Sequence, residues 1–317
     1  MSTRGLPIDA LELASLVRVA PEGDEWLHEQ KFDGYRILAD KRGATVKLLS
    51  RRFKDWTEVF PSIAQAVSAL PARRLVLDGE VCALLPDGRS SFQALQGAFG
   101  DPHANLAYFA FDVLAIDDEV LTELPLEDRK QRLRAVIPKH GPVRYSDHII
   151  GDGARFFAAA CERGLEGIMS KRRDRPYRAG RGKDWVKTKC WLRQELVIGG
   201  FTEPAGSRSG LGALLVGYYQ GDKLVYAGKV GTGFSMKVLA ELFAALAKLE
   251  RPTTPFTPTP PRTSTGPGVH WVEPKLVAEV AFAEWTSDGR LRHPSFQGLR
   301  LDKRAREVVR EAPVHST

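Results

Sequence analysis

Cysteine is scarce in this chain. The three that occur, Cys82, Cys161 and Cys190, are odd in number, far apart and in no Cys-x-x-Cys pair. That argues against a disulfide framework and against a zinc site, and small buried hydrophobes are the expected identity of all three. Long apolar runs are also missing. No window approaches the ~20 apolar residues of a membrane-spanning helix, although 43% of the 317 residues are hydrophobic. The opening Met-Ser-Thr-Arg-Gly-Leu-Pro lacks the apolar core of a secretory leader. A soluble cytoplasmic protein with no membrane contact is expected, with room for two domains. No internal repeat is evident.

An acidic excess is absent too. The net charge is +7, a balance that suits a polyanionic partner. Its placement says more, because Lys171 to Lys189 hold nine Lys or Arg against two Asp. Tyr177 and Trp185 are interleaved with them, and aromatics among clustered cations suit phosphates and stacked bases.

Along the chain, residues 1 to 25 read as irregular, with one or two helical turns between Pro7 and Pro21. Trp26 opens a strand. Residues 35–40 and 45–50 read as a hairpin with Gly43 at the positive-φ position. Thr57 is a candidate cap for a helix that carries Val59, Ile63, Val67 and Leu70 and stops at Pro71. Leu75 to Leu84 reads as a strand interrupted by Asp78-Gly79, and Tyr108 to Leu114 as another whose only charge is Asp112. Amphipathic helices are expected next over 125–137 and over 152–164, the second with Asp152 as N-cap. In Trp185-Val186-Lys187-Thr188-Lys189, strand alternation puts the tryptophan and both lysines on one face. From Glu195 the texture changes to short glycine-punctuated strands with one helix over 235–250 and a Pro/Thr-rich loop. That pattern matches a small barrel of the OB type, and the domain boundary is expected near Arg193.

Lys31 sits in Gln30-Lys31-Phe32-Asp33-Gly34-Tyr35-Arg36, a strand-edge turn that presents an amine. Such an amine attacks carbon or phosphorus once burial or neighbouring cations depress its pKa. Alone, the loop is close to a chance match. Its weight comes from its companions further along the chain, in order: Arg51, Asp78-Gly79-Glu80, Phe111-Asp112, Glu166-Gly167, Lys187-x-Lys189 and Arg300-x-Asp302-Lys303.

This series resembles the covalent nucleotidyltransferase superfamily of DNA ligases, RNA ligases and capping enzymes. With Trp271-Val272-Glu273-Pro274, Ala283 to Gly289 and Leu291 to Phe296 it looks most like the ATP-dependent ligase module of bacterial ligase D end-joining proteins. The resemblance implies an α+β fold: a nucleotidyltransferase (adenylation) domain of antiparallel sheets with flanking helices over residues 1–193, then an OB-fold β-barrel over 194–317. It implies DNA ligase activity through a lysyl-AMP intermediate on Lys31, with ATP as adenylate donor and Mg²⁺ or Mn²⁺ at Glu166. Glu80 and Arg36 would hold the ribose, Phe111 would stack on adenine, and Glu29 would join the nucleotide site. Lys187 and Lys189 would meet the α-phosphate, with Asp33 and Asp302 in support. Arg51 and Arg181 would contact DNA phosphates, while Arg300 and Lys303 would orient the β- and γ-phosphates. The amine of Lys31 is expected to be held near neutrality by Lys187, Lys189, Arg36 and the metal.

Nicked or broken duplex DNA is the implied substrate, for a monomer with Ku and a separately encoded repair polymerase as implied partners. The rival readings are an RNA ligase or a capping-type enzyme of the same superfamily, and a noncatalytic nucleic-acid-binding protein on the same scaffold.

Overall fold

A computed structural model describes residues 6–99, 101, 104–190, 192–204 and 210–311. They fall into two compact units that divide at Cys190. The expected boundary residue, Arg193, lies in the first strand of the second unit.

The strands of the first unit are β1 (Glu12–Leu16), β2 (Trp26–Gln30), β3 (Tyr35–Arg42), β4 (Thr45–Ser50), β5 (Arg74–Ala83), β6 (Leu106–Ile116), β7 (Glu119–Val120), β8 (Val143–Tyr145), β9 (His148–Ile150), β10 (Gly167–Arg172) and β11 (Gly180–Lys189). Its helices are α1 (Pro61–Ser68), α2 (Phe92–Gly97), α3 (Leu126–Val136) and α4 (Gly153–Glu162). One sheet runs β1-β11-β10-β2-β9, and the other runs β4-β3-β5-β6-β7 with β8 on β6. Pairing is antiparallel except for β1 with β11 and β8 with β6. Leu38, Leu49, Val76 and Leu114 of the second sheet pack against Leu11, Tyr177 and Trp185 beside the first. A larger apolar cluster, with Ile37, Leu48, Leu77 and Val113, fills the opposite face of the second sheet under α1 and α3.

Several local expectations give way to tertiary contacts. Residues 12–16 form β1 rather than helical turns, because β11 offers them a parallel edge. The helix after the first hairpin starts at Pro61, which fits a first turn where no N–H is needed. Thr57 caps nothing there; its hydroxyl donates to Asp55 and accepts from the Leu48 N–H. Asp152 does hold the N-cap position of α4, yet the free N–H groups of Gly153 and Ala154 donate to Glu22, far away in sequence. Asp78-Gly79 does not break a strand. It lies inside the continuous β5, and a Cβ on Gly79 would meet the Phe109 carbonyl at 2.6 Å. The cysteine expectation fails in part: Cys161 and Cys190 are disulfide-bonded, joining α4 to the residue after β11, while Cys82 is free and buried as expected. Their separation of 29 residues hid the pair until α4 was laid on β10.

Charge is buried here in an unusual amount. Asp112 accepts two hydrogen bonds from Arg129 at 2.8 Å, and both side chains are fully buried. Glu29 lies between Lys130 and Lys171, with Lys171 at 2.6 Å. The inward stripe of α3 is Leu126, Arg129, Lys130 and Leu133, so half of an amphipathic face is cationic because acids wait beneath it.

The second unit contains β12 (Leu192–Thr202), β13 (Leu214–Gln220), β14 (Lys223–Val230), β15 (Glu250–Arg251), β16 (Val269–Val272), β17 (Val277–Phe282), β18 (Glu284–Trp285), β19 (Leu291–Arg292) and β20 (Ser295–Leu299), with helices α5 (Met236–Ala247) and α6 (Arg262–Thr265). The order β14-β13-β12-β16-β15 is extended by β17 on β12 and β20 on β17. Leu239, Leu242 and Leu246 of α5 are buried against this sheet, whereas Phe243 on the same helix is 40% exposed.

Arg129→Met strands the Asp112 carboxylate in the core, which costs about 3–5 kcal/mol. Urea unfolding of the two proteins checks this; a loss below about 1 kcal/mol would show that Asp112 finds another partner.

Candidate active site

Lys31 is the residue after β2. Its N–H donates to the Gly167 carbonyl at 3.0 Å, so the loop stays zipped to β10 where the sheet ends. Its ammonium donates to Glu166 at 2.8 Å. Gly34 is required for close approach: a Cβ there would lie 2.1 Å from the Val81 carbonyl. Asp33 ties the loop to the chain before α2, its N–H donating to Ser90 Oγ at 3.1 Å and its carboxylate accepting from the Phe92 N–H at 3.3 Å.

Sheet register brings the remaining charges to this end. Gly167 is opposite Lys189 and Met169 opposite Lys187 on β11, and both lysines are half-buried. On the facing sheet Glu80 pairs in register with Arg36 on β3 and Phe109 on β6.

The protein's own side chains push the Lys31 pKa upward, whereas the near-neutral value expected for it counted on a divalent metal beside Lys187, Lys189 and Arg36. Burial favours the neutral amine, but the Glu166 carboxylate, its hydrogen bond, Glu80 and Asp33 outweigh it and hold the pKa well above the usual lysine range. Before any ligand arrives the amine is a protonated ammonium in an acidic nest.

Arg36 is committed elsewhere. It forms a fork with Asp78 at 2.9 and 2.6 Å and donates to the Glu12 carbonyl. Tyr177 donates to the same Asp78. Phe111 is the extra residue where the β5–β6 register shifts. It packs edge-on against Trp185, with Lys171 4.2 Å from its ring centroid and Arg36 at 5.3 Å. Tyr177 and Trp185 are 3% and 2% exposed, so these aromatics of the basic run are core residues and offer no platform for stacked bases. Glu29 is likewise enclosed. Burial opposes its charge, but the Lys130 and Lys171 ammoniums hold its carboxyl below the usual range. Arg51 is half-buried just after β4, and Arg181 is exposed, donating to the Ala14 carbonyl.

In the second unit Arg300 forks onto Asp302 at 2.9 and 2.8 Å and lies 3.6 Å from Glu279. Lys303 donates to Glu195 at 2.5 Å. Asp302 therefore orients Arg300, while Glu195, which the motif order did not single out, holds Lys303. Burial works against the Glu195 charge, but Lys303 and Arg300 prevail and push its pKa down to about 2. The buried partners Arg129, Lys130 and Lys171 were also missed. The i, i+3, i+4, i+7 spacing of Leu126, Arg129, Lys130 and Leu133 was the available signal.

Among the described residues no three His, Cys, Asp or Glu side chains converge as a metal cluster. Glu166, with Glu80 nearby in charge, still suits Mg²⁺ or Mn²⁺, which take one or two carboxylates and complete their shell with substrate phosphates and water.

An amine beside acids, with a lysine pair on the strand next to β10, is the arrangement expected of a covalent nucleotide-transfer site. The chain belongs to the ATP-dependent DNA ligases: the family described as ATP dependent DNA ligase domain matches residues 12–189, and that described as ATP dependent DNA ligase C terminal region matches residues 207–303. The first unit is thus the adenylation domain and the second the C-terminal OB domain. The multifunctional non-homologous end joining protein LigD of Pseudomonas aeruginosa is 44% identical over 310 residues, covering 96% of this chain and 37% of that protein. The LigD of Mycobacterium tuberculosis strain H37Rv is 40% identical over 293 residues, covering 92% and 38%. The chain therefore spans little more than a third of these curated relatives. A solved structure described as mycobacterial DNA ligase D complexed with ATP and MES has 38% identity and a TM-score of 0.72, covering 95% of this chain and 98% of that one. No helix among the described residues is long and apolar enough to cross a membrane.

Glu166→Gln removes the largest charge that keeps Lys31 protonated. Without ATP, modification of Lys31 by an amine-reactive reagent at pH 9, read by peptide mass spectrometry, is expected to rise about tenfold, one pKa unit in effect. No increase would mean that Glu80 and Asp33 suffice. A second dependence comes from Glu12 in β1, only 2% exposed. Burial raises its pKa from 4.5 to about 7, against the Arg178 N–H that it accepts. A raised carboxyl stays protonated in the folded state while the unfolded chain ionises, so stability drops as pH rises from 4.5 to 7. Unfolding free energies should show Glu12→Gln losing up to about 3 kcal/mol less over that range than the unaltered protein.

Proposed function

We propose that the protein seals 5′-phosphate/3′-hydroxyl breaks in duplex DNA, in repair by end joining. The observation that carries this is Lys31 held at 2.8 Å from Glu166, with Glu80 and the Lys187–Lys189 pair at the same end of the two sheets.

Lys31 Nζ forms a bond to the α-phosphorus of ATP, and the bond to the β-phosphate oxygen breaks as pyrophosphate leaves with the electron pair. The nearest acceptor for the ammonium proton is Glu166 Oε2. A 5′-phosphate oxygen at the break then takes the adenylate and the N–P bond breaks, returning the amine. Finally the 3′-hydroxyl oxygen attacks the 5′-phosphorus and AMP departs. Glu166 would hold a divalent cation, which would supply positive charge to offset the carboxylates around Lys31. Lys187 and Lys189 stabilise charge on the phosphoryl oxygens, where preorganised electrostatics matters most.

Glu80 positions the ribose, helped by Arg36 once it gives up part of its fork onto Asp78; Phe111 lines the adenine side, and Glu29 joins the nucleotide site. For Phe111 to stack on adenine it must give up part of its packing on Trp185 and Lys171. Asp33 holds the loop, Arg51 meets the 5′-phosphate of the break, and Arg181 adds a DNA phosphate contact. Arg300 and Lys303, released from Asp302 and Glu195, orient the departing pyrophosphate. That role requires the second unit to approach the first during adenylation and to move off before DNA is closed upon. The names of the LigD relatives support a setting in non-homologous end joining, for which Ku and a repair polymerase are the partners to test. Binding to DNA should weaken steeply with salt, because phosphate contacts carry it.

Incubation with α-labelled ATP and Mg²⁺ or Mn²⁺ should leave label on the protein, and Lys31→Ala should reduce it to background while remaining folded. Label persisting on the variant would refute the assignment of the nucleophile.

A further inference from the structure

The chain leaves the first unit through a very short connector. β11 ends at Lys189 and β12 begins at Leu192, and the two units divide at Cys190. Cys190 is thus the first residue of the connector, and its sulfur is bonded to that of Cys161 in the last turn of α4.

The bond closes a small circuit of chain that contains Glu166. From Cys161 the chain turns through Gly164, which lies in the left-handed region, and reaches Glu166. The Gly164 N–H donates to the Cys161 carbonyl at 2.9 Å, and the Cys190 N–H donates to the Glu166 carbonyl at 2.9 Å. Glu166 in turn holds Lys31. While the sulfurs are joined, the connector cannot peel away from this stretch. Without the bond, what holds Cys190 is that backbone hydrogen bond and apolar packing on the cluster of Ala160 and Ile168.

Both cysteines are half-buried, whereas Cys82 is fully buried. A small thiol reagent therefore reaches the pair in the folded protein. A protein that works on DNA meets a reducing compartment, where a disulfide serves as a sensor more often than as a permanent staple. We propose that Cys161 and Cys190 form a redox-responsive pair, a covalent modification site whose oxidation fastens the start of the connector beside Glu166 and whose reduction frees it. The consequence for activity rests on the ligase reading above, in which the second unit approaches and moves off in every cycle. Reduction by a dithiol proceeds by exchange: one thiolate attacks a sulfur of the pair, the S–S bond breaks and the released cysteine takes up a proton. The second thiolate then displaces the other cysteine, so two electrons and two protons pass to the protein and the dithiol becomes a cyclic disulfide. A low-molecular-weight disulfide such as oxidised glutathione reverses the change, leaving as two thiols.

The test compares the full chain treated with dithiothreitol and with oxidised glutathione, without denaturant. Dithiothreitol should open Cys161 and Cys190 to iodoacetamide, read by peptide mass spectrometry. Exchange of the Cys190 amide hydrogen should speed about tenfold on reduction, with the amides of β5 unchanged. Multiple-turnover sealing of a nicked duplex should be about threefold faster in the reduced form and slow again on reoxidation, which a merely stabilising bond would not produce. The double variant Cys161→Ser, Cys190→Ser should match the reduced protein and ignore the oxidant. A pair that resists dithiothreitol until the protein unfolds, amide exchange unmoved by reduction, or sealing no slower in the oxidised form would overturn the proposal. An unaltered protein that takes no label from α-labelled ATP would instead overturn the ligase reading, and thiol and amide exchange would still decide whether the pair is a redox clasp.

Discussion

Charge taken out of water has to be answered by opposite charge at hydrogen-bond distance, and the first unit is assembled around that constraint. Asp112 with Arg129 and Glu29 with Lys130 and Lys171 link strands of both sheets to α3, and Arg36 with Asp78 ties β3 to β5. Lys171 adds its face-on contacts with Phe111 and Trp185, at 4.2 and 4.1 Å from their centroids. Each pair demands its partner, so the sheets have few ways to sit on one another. Apolar packing alone tolerates many arrangements, and directional charge pairs remove most of them. The catalytic loop sits at the margin of this layer, where pairing is still tight but solvent begins: Lys31 keeps a fifth of its side-chain surface open, Glu166 a sixteenth.

The same constraint explains the state of Lys31. Three carboxylates around one half-buried amine stabilise the ammonium, which is unreactive. A lysine held in protonated form is protected from stray electrophiles. The Arg300–Asp302 and Lys303–Glu195 pairs repeat this pattern in the second unit. There, too, the groups expected to meet phosphate are parked on acids.

Much of the site was legible in the order of the residues. Lys31, Glu80, Glu166, Lys187 and Lys189 are separated by long stretches of chain, yet strand register lines them up at one end of two sheets. The lysine pair was readable as well, since alternation on one strand puts 187 and 189 on the same face. The reading failed where a residue's partner lay far away. Trp185 and Tyr177 looked like surface aromatics among cations because their neighbours in sequence are charged. In the fold their neighbours are Phe111, Arg36 and Asp78. Thr57 and Asp78 were read as local cap or turn residues, and each was overruled by a contact or a strand that local pattern does not encode, whereas Asp152 does hold the N-cap position of α4.

Composition and motif order determined on their own that the chain has two domains, that one lysine is the candidate covalent nucleophile and which acids and cations accompany it. These come from side-chain chemistry and one-dimensional spacing, which the sequence states directly. Tertiary structure decided the direction of the Lys31 pKa, the commitment of Arg36 and Phe111 to buried partners and the Cys161–Cys190 bond. Each of these depends on which groups meet across tens of residues, and the balance between burial and opposing charge exists only once they have met.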